Sequence, residues 1–269
     1  MKTLISGGIF MKLRVMTYNI AGGRDYNQDE TIKKSNPSVC AEVIKKYSPD
    51  IVGLNEVDYM HPRSGSVDIA AEIGKITGHN SRFAKATELP WGKLYGDYGN
   101  AFLTKYPIKE DEVIIVPDPI DKSEPTYYET RCVYRAVLDI EGKDIEVLVT
   151  HFGLAKTERE ETMKILTKLI KERKHPLILM GDFNERPFGK TLAPLFTLLH
   201  DTAAVREEEE VRTFPSRFNI PNVDAPSNND GKGIKIDYIF VSEEFTVHSF
   251  VVPEEKASDH LPCYADLSI

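Results

Sequence analysis

The sequence predicts an α/β protein in which mixed β-sheets carry helices on their outer faces. Apolar segments typical of strands alternate with helical patterns along the 269 residues, without an internal repeat or a low-complexity linker. Some neighbouring strands are joined by short turns and others by helices, which is typical of mixed sheets. We therefore expect the sheets to lie inside and the helices outside.

The strands are predicted from short apolar runs that end at turn residues. The turn at residues 141–143 contains Gly142 and joins two of these runs as a hairpin. The run at residues 51–54 is entirely apolar apart from its glycine, as in a buried strand. The predicted strands span residues 13–19, 51–54, 100–104, 113–116, 133–140, 145–150, 177–180, 236–241 and 264–269.

The helices are predicted from apolar side chains at helical spacing and from the residues at their ends. Pro37 suits the first turn of one helix, and Gly78 is typical of the position that ends another. The third helix has acidic residues in its first turn and an apolar face that includes Met163 and Ile170. The predicted helices span residues 37–47, 68–77 and 158–174.

The chain is expected to form one domain. Residues 117–129, with three prolines, and residues 206–235, which begin with a run of glutamates, are interpreted as surface loops and not as domain boundaries. Residues 1–10 are interpreted as a leader or an alternative-start segment, since Met11 is a second possible start. The domain would then cover residues 11–269.

The composition excludes several classes of protein. With 41% hydrophobic and 28% charged residues, the chain resembles neither a collagen, a coiled coil nor a disordered protein. Its 34 basic and 42 acidic residues give a net charge of −8. This charge argues against tight non-specific binding of nucleic acid, which requires many contacts between basic side chains and phosphates. A locally basic cleft remains compatible with it.

The cysteines and the hydropathy pattern point to a cytoplasmic location. Cys40, Cys132 and Cys263 are an odd number at unrelated spacings, which indicates neither a disulfide framework nor a zinc site. No run approaches the roughly 18 apolar residues of a spanning helix, so stable membrane insertion is not expected. We also expect the protein to be a monomer.

Polar side chains follow several apolar strands at the point where each strand ends. Asn19, Glu56 and His151 each come directly after or near the end of such a run, and Asp182 and Asn184 follow another. Side chains at strand ends converge on the crevice where α/β proteins bind ligands. One polar strand end is explained by turn chemistry, but four of them predict a shared site.

The segment Gly181-Asp182-Phe183-Asn184 is the most specific of these motifs. Asp182 directly after a buried strand would be partly desolvated, so its carboxylate suits the orientation or deprotonation of a water molecule. Asn184 has both a donor and an acceptor and can hold the same water or an anionic oxygen. The alternative for this segment alone is a simple Asx turn.

His260 is predicted to work with a carboxylate from elsewhere in the chain. Its neighbour Asp259 points away in an extended segment, whereas Asp237 at the start of a strand is a suitable partner. Such a carboxylate fixes the imidazole tautomer and raises its basicity, so that the other N–H faces a phosphoryl oxygen. The remaining histidines are interpreted as packing residues: His61, His79, His175, His200 and His248.

Glu56 is the natural candidate ligand for a hard cation. Mg²⁺ prefers one or two carboxylates together with water and substrate phosphate oxygens. Scattered single carboxylates without a Cys/His set fit Mg²⁺ or Mn²⁺ better than a structural zinc ion. The alternative is that Glu56 is simply a surface residue.

In their order along the chain, these motifs resemble those of the endonuclease/exonuclease/phosphatase superfamily. The superfamily includes pancreatic deoxyribonuclease, apurinic endonucleases, neutral sphingomyelinases and inositol-polyphosphate phosphatases. Each motif alone is weak evidence, but the ordered set extends from residue 13 to the C-terminus. The matching segments are residues 17–19, 49–56, 98–101, 150–152, 181–184, 236–240 and 258–262.

The resemblance implies a four-layer α/β/β/α sandwich of two mixed sheets and a metal-dependent phosphoester hydrolase. Glu56 would be the main ligand of Mg²⁺ or Mn²⁺, with Asn19 beside it and Asp259 near the metal. Asp182 would activate or position the attacking water, and Asn184 would assist. Direct attack by water agrees with the lack of a nucleophilic serine or cysteine motif.

The resemblance also assigns residues to the phosphate. His260, oriented by Asp237, would bind and polarise the scissile phosphate, and His151 would contact a non-bridging oxygen. Asn100 and Arg131 would be substrate contacts. A cation and an imidazole on opposite sides of the phosphate would neutralise the charge that develops on its oxygens.

The sequence indicates the type of reaction more clearly than the identity of the substrate. A small or lipid-like phosphoester is expected, with nuclease action on DNA or RNA as the runner-up and a catalytically silent binding protein as a third alternative. Subfamily signatures are mostly missing, and the net charge of −8 argues against the DNA-binding relatives. The aromatic-rich residues 89–98 either form a wall of the substrate cleft or cover the core.

Overall fold

The computed structural model describes residues 11–27, 35–206, 210–216 and 233–269. It contains twelve strands and four α-helices within these ranges. The strands are β1 Lys12–Asn19, β2 Ile51–Tyr59, β3 Asn80–Trp91, β4 Leu94–Thr104, β5 Ile108–Ile115, β6 Cys132–Ile140, β7 Lys143–His151, β8 Leu177–Asp182, β9 His200–Asp201, β10 Asp237–Val241, β11 Thr246–Val251 and β12 Cys263–Ser268. The helices are α1 Pro37–Tyr47, α2 Ile69–Thr77, α3 Lys156–Glu172 and α4 Ala193–Leu198. The predicted leader and residues 207–209 of the acidic run lie outside the described residues.

The strands form two mixed six-stranded sheets. The order in one sheet is β11-β12-β1-β2-β4-β3, and in the other it is β5-β6-β7-β8-β10-β9. Each sheet contains one parallel pair, β1 with β2 and β7 with β8. The neighbours joined by hairpins are antiparallel, since a short turn reverses the chain. The prediction of mixed sheets is confirmed.

Three apolar clusters define the order of the layers. Side chains from both sheets, among them Phe102 and Tyr134, meet in a cluster between the sheets. A second cluster packs Ile44 of α1 and Ile73 of α2 on the outer face of the first sheet. A third packs Leu166 of α3 against the outer face of the second sheet. The molecule is therefore a four-layer α/β/β/α sandwich, as predicted.

The helix ends follow from the local sequence. The Asp68 side chain accepts a hydrogen bond of 2.9 Å from the backbone N–H of Ala71 and caps α2, which ends at Gly78 in the left-handed conformation. Glu158 accepts one of 3.1 Å from the N–H of Ala155 at the start of α3. These contacts satisfy backbone donors that have no partner within a helix.

The main difference from the prediction is a long hairpin, β3–β4. Its two-residue turn contains Gly92 with φ of 63°, a conformation that favours glycine. The predicted strand at residues 100–104 is only the last part of β4. Of the aromatic residues in this region, Trp91 and Tyr95 are 55% and 64% exposed, whereas Tyr98 is buried. Elements β11 and α4 were not predicted either, because they are short and half-buried.

No helix among the described residues is both long and apolar enough to cross a lipid bilayer.

Replacing Phe102 by alanine tests the packing between the two sheets. The Phe102 ring is fully buried, and its centroid lies 5.3 Å from that of Tyr134. We expect Phe102→Ala to lower the free energy of unfolding by about 3–5 kcal/mol, because it removes apolar contacts and leaves a cavity. Denaturant unfolding measures the loss. The control is Ile120→Ala in an exposed loop, and equal stabilities of the two variants would contradict the layer assignment.

Candidate active site

Side chains from both sheets meet at one mouth of the sandwich. The parallel pairing of β1 with β2 ends there at Asn19 and Asn55, with Glu56 next along β2, and the pairing of β7 with β8 ends there at His151 and Asp182. The Asn19 amide nitrogen donates a hydrogen bond of 3.0 Å to Asp182 across the sheets. The predicted convergence of the strand ends is thus present, because parallel neighbours end at the same edge of their sheet.

Asn55 is the centre of the polar network beneath this mouth. Its amide nitrogen donates hydrogen bonds to the side-chain oxygen of Asn100 at 2.8 Å and to the carbonyl of Thr150 at 2.9 Å. Its side-chain oxygen accepts one of 2.8 Å from the N–H of Asp182. Sequence reasoning did not give Asn55 a role. A polar residue at the end of a buried strand was the available signal.

Gly181 lets strand β8 approach its neighbour closely enough to place Asp182. A Cβ atom at this position would lie 1.8 Å from the carbonyl oxygen of Thr150, and φ is 149°. Any side chain at this position would push β8 away from β7. The glycine in the motif is therefore required by geometry.

Asp182 is buried and accepts hydrogen bonds on both carboxylate oxygens. Oδ2 accepts from the Asn19 amide, and Oδ1 accepts from the backbone N–H of Asn184 at 2.9 Å. Burial raises the pKa of Asp182 to about 7, with the negative charge of Asp237 adding to the rise and His260 opposing it. A carboxylate with a pKa near neutrality is suited to accept a proton from water.

His260 and Asp237 form the predicted pair. Nδ1 of His260 lies 2.9 Å from Asp237 Oδ2, and Nε2 lies 3.6 Å from Asp182 Oδ2. Burial lowers the pKa of His260, but the carboxylates of Asp237 and Asp182 outweigh it and raise the pKa to about 10. The ring is therefore an imidazolium at neutral pH, with its Nε2–H directed toward the Asp182 side of the mouth.

His151 lies at the same mouth but is neutral, whereas His260 is charged. Its Nδ1 lies 3.1 Å from Nη1 of Arg131, so this ring nitrogen faces a group that only donates. Burial and the positive charges of Arg131 and His260 lower the pKa of His151 well below its usual value. The Asn184 amide nitrogen donates to the carbonyl of Phe152 at 2.9 Å and lies 3.2 Å from His151 Nε2.

Arg131 and Asn100 differ in how many of their hydrogen-bonding groups have partners within the protein. Arg131 is buried, forms an ion pair of 2.6 Å with Glu129, and has an Nε atom without a hydrogen-bond partner among the described residues. Asn100 donates to the carbonyl of Cys132 at 3.1 Å while its oxygen accepts from Asn55. The substrate contacts expected of Arg131 and Asn100 stay predictions, and the Asn100 amide is engaged at both ends within the protein.

Glu56 and Asp259 are the two carboxylates suited to a cation. Both are half-buried, and Glu56 has φ of 54° where the register between β2 and β4 shifts. Asp259 accepts a hydrogen bond of 3.3 Å from the hydroxyl of Tyr26, and its Oδ1 lies 3.2 Å from the Ser258 hydroxyl oxygen. Carboxylate oxygens with few donors around them fit a hard divalent cation.

Asn19 lies beside this candidate cation site but presents its nitrogen to it. The amide nitrogen donates to Glu56 at 3.1 Å and to Asp182 at 3.0 Å, while the amide oxygen accepts from the N–H of Ala21 at 3.1 Å. A carboxylate oxygen only accepts, so this orientation of the amide is fixed by its partners. Direct ligation by Asn19 stays a prediction, and in this orientation its amide holds the Glu56 carboxylate.

A second group of possible ligands is formed by Asp182, Asp237 and His260, whose ligand atoms lie within 4.8 Å of one another. Asp237 already binds the Nδ1 of His260, and the raised pKa of His260 keeps that ring protonated. An imidazolium has no lone pair for a metal ion. The Glu56 side therefore fits a cation better than this group.

Comparison with known proteins gives consistent matches over nearly the whole chain. Residues 16–260 match the model of the Endonuclease/Exonuclease/phosphatase family. The chain is 26% identical to the uncharacterized protein YbhP of Escherichia coli, over 85% of this chain and 87% of that protein. It is 22% identical to exodeoxyribonuclease III of Haemophilus influenzae, over 94% and 99%. A solved structure of a mannosyl-6-phosphatase from Bacteroides thetaiotaomicron is similar in fold, with a TM-score of 0.69, 20% identity and coverage of 95% and 99%.

The charge of His260 can be tested by titration. Because its folded-state pKa of about 10 lies above the usual 6.5, the interaction with Asp237 stabilises the fold fully below about pH 6.5. This contribution is lost as the pH rises through about 10. We expect Asp237→Asn to lower the pKa of His260, measured from imidazole ¹⁵N shifts.

The control for this titration is Asp139→Asn, at the hairpin between β6 and β7. It should leave the His260 titration unchanged. A wild-type His260 that loses its proton near pH 6.5 would contradict the charge assignment.

Proposed function

Because the chain belongs to the endonuclease/exonuclease/phosphatase family, we propose that it is a metal-dependent phosphoester hydrolase. The favoured substrate is a small or lipid-like phosphoester, a monoester or a diester. The observation that carries the proposal is the position of Asp182 between a protonated His260 and the Asn19–Glu56 pair. A base thus lies between a cationic donor and a candidate cation site, as direct water attack on phosphorus requires.

Asp182 is proposed to accept the proton of the attacking water. Its pKa of about 7 leaves a large fraction ionised at neutral pH and still makes it basic enough to accept a proton. The N–H of Asn184 holds one oxygen of the carboxylate and the Asn19 amide holds the other. Both contacts fix the direction of the base, so that little reorganisation accompanies the attack.

His260, His151 and Arg131 are proposed to bind the phosphate oxygens. The Nε2–H of the His260 imidazolium donates to an oxygen whose negative charge grows as water attacks, and Asp237 holds the ring in place. The neutral His151 is proposed to contact a second oxygen. The buried Arg131, whose Nη1 lies 3.1 Å from His151 Nδ1, adds positive charge beside this second oxygen.

Glu56 and Asp259 are proposed to hold the divalent cation, Mg²⁺ or Mn²⁺. A bound cation would neutralise charge on a phosphoryl oxygen and on the leaving oxygen. The chain's own contribution is to hold the Glu56 carboxylate with the Asn19 amide, which links it to the base Asp182. This link fixes the spacing between the cation side and the base side of the phosphate.

Direct attack by water is favoured over a covalent intermediate. The Ser258 hydroxyl donates to the carbonyl of Asn19 at 2.8 Å, so its proton is already engaged. The Cys132 thiol is buried, and burial raises its pKa to about 12, which keeps it from becoming a nucleophilic thiolate at neutral pH. Neither side chain is therefore suited to attack phosphorus.

A nuclease is the second candidate within the same chemistry. Exodeoxyribonuclease III of Haemophilus influenzae matches the chain at 22% identity over almost its whole length. Against this reading, the net charge of −8 is unfavourable for a long polyanion. A catalytically silent binding protein is a weaker third candidate, because every expected catalytic position holds a chemically competent residue.

Metal removal tests the reaction class, with a panel of a phosphomonoester, a phosphodiester, sphingomyelin and plasmid DNA as substrates. We expect hydrolysis of at least one small ester, its loss in EDTA, and its recovery with Mg²⁺ or Mn²⁺, because Glu56 and Asp259 supply only oxygen ligands. Release of phosphate or alcohol is measured at fixed salt. Nicking of plasmid without hydrolysis of small esters would favour the nuclease, and no hydrolysis of any substrate would contradict the proposal.

Substitutions at the site test the residue assignments. We expect Asp182→Asn to lower kcat by about 100- to 10,000-fold, because it removes the base. His260→Ala should lower kcat by about 100- to 1,000-fold, because it removes a charged donor to the phosphate. Glu56→Gln should lower activity and raise the Mg²⁺ concentration that is needed for half of it.

Steady-state kinetics on folded variants measure these effects. The matched controls are His175→Ala, at the opposite end of β8 from Asp182, and Glu172→Gln, at the end of α3. Both should retain wild-type turnover. Wild-type turnover in all three site variants would show that the site lies elsewhere.

A further inference from the structure

The loop that follows β2 carries a guanidinium that the proposed mechanism does not use. Arg63 lies in a short 3₁₀ turn, Pro62–Ser64. Its backbone N–H donates a hydrogen bond of 3.1 Å to Nδ1 of His61, which precedes the turn. Gly96 of β4 packs directly on this loop, since a Cβ atom there would lie 2.2 Å from Cα of His61. The backbone that carries Arg63 is therefore held firmly against the sheet.

Asp58 fixes one edge of the Arg63 guanidinium and leaves the other edge available. Nε donates to Asp58 Oδ2 at 2.8 Å and Nη2 donates to Oδ1 at 2.7 Å. The Asp58 side chain is fully buried, whereas that of Arg63 is 30% exposed. Nη1 has no hydrogen-bond partner among the described residues. A guanidinium held in this way is pre-organised to bind a second anion.

Tyr98 connects Arg63 to the site. The Arg63 guanidinium carbon lies 5.5 Å from the centre of the Tyr98 ring. Tyr98 is buried, which raises its pKa, and the charges of Glu56 and Glu129 raise it further while Arg131 and Arg63 oppose them. Glu56, Arg63 and Arg131 therefore all lie near enough to act on this one ring.

The spacing along β2 separates Arg63 from the phosphate that reacts. Asn55 binds the N–H of Asp182, and Asp58, three residues further along the strand, holds Arg63. At about 3.3 Å per residue, this separation is at most roughly 10 Å, since the register shift at Glu56 shortens the strand there. Arg63 is therefore held a few residues of strand away from the group that contacts Asp182, a spacing that suits a second anionic group of the same substrate.

We propose that Arg63 is a specificity-determining residue that binds a second anionic group of the substrate, most simply a second phosphate. The proposal rests on the proposed function, since it assumes that the scissile phosphate lies between Asp182 and Glu56. The preferred substrates would then be bisphosphorylated sugars or nucleotides with a further phosphate, and esters of neutral alcohols would be poorer. The recognition is charge-assisted through Nη1 of a guanidinium that Asp58 holds in a bidentate contact, which Lys cannot reproduce.

Kinetics on matched pairs of substrates test the proposal. One pair is a hexose monophosphate and the corresponding hexose bisphosphate, and the other is a dinucleotide without and with a terminal phosphate. We expect the wild type to have a KM at least tenfold lower for the more highly phosphorylated member of the preferred pair. The pair that shows this preference identifies the source of the second phosphate.

Variants at Arg63 give the decisive comparison. Arg63→Gln should raise KM for the preferred doubly phosphorylated substrate about 10- to 100-fold more than for its partner, the range of a lost charged hydrogen bond. Arg63→Lys should give a smaller change in KM in the same direction. If Arg63→Gln does not fold, the KM values of Arg63→Lys for the two substrates test the proposal. The control is Arg82→Gln, an exposed arginine paired at 3.4 Å with Asp111, which should behave as the wild type. Equal changes in KM for both members of each pair would overturn the proposal.

A binding measurement separates this proposal from the proposed function. In EDTA, calorimetric titration of the wild type should show tighter binding of pyrophosphate than of inorganic phosphate, and Arg63→Gln should weaken pyrophosphate binding at least tenfold. If the wild type hydrolyses no phosphoester but this dependence on Arg63 holds, the proposed function fails while the anion site stands. Pyrophosphate binding that is the same in Arg63→Gln and Arg82→Gln would overturn the anion site.

Discussion

The contact between Asn19 and Asp182 is the constraint on which the mouth of the sandwich depends. It is a buried hydrogen bond between two sheets that otherwise meet through apolar side chains. Asn55 reinforces it by binding the backbone of both β7 and β8. Buried polar groups are costly unless each finds a partner, so this network allows the sheets only one relative position at this end. That position sets the distance between Glu56 and Asp182.

The two histidines show how partners decide charge in the same buried place. Burial alone would neutralise both rings. His260 contacts the carboxylate of Asp237 and stays protonated, whereas His151 contacts the guanidinium of Arg131 and stays neutral. The mouth therefore offers a charged ring and a neutral ring at different positions. An arrangement with two imidazolium rings would repel itself and would need further anions nearby.

The sequence predicted the layers and the grouping of the side chains at the strand ends, whereas contacts that depend on side-chain orientation come only from the structure. Strand ends predicted the convergence of Glu56, His151, Asp182 and Asn184, because parallel neighbours end together. The roles expected for Asn19 and Asn100 depend on which amide atom faces which partner, and local sequence does not determine that. Arg63 was not recognised because its relation to the site arises from β2–β4 pairing and from a close approach at Gly96, both of which are long-range.

The same burial that suits Asp182 to its proposed role works against the stability of the fold. Its pKa in the folded state, about 7, lies above that of an unfolded aspartate, so folding favours the protonated form. The stability associated with this proton is present below about pH 4 and is lost as the pH rises through about 7. At neutral pH the carboxylate is ionised at a free-energy cost that the apolar contacts between the sheets must offset. Residues such as Phe102 and Tyr134 therefore support the chemistry without contacting it, because they hold a desolvated base in place.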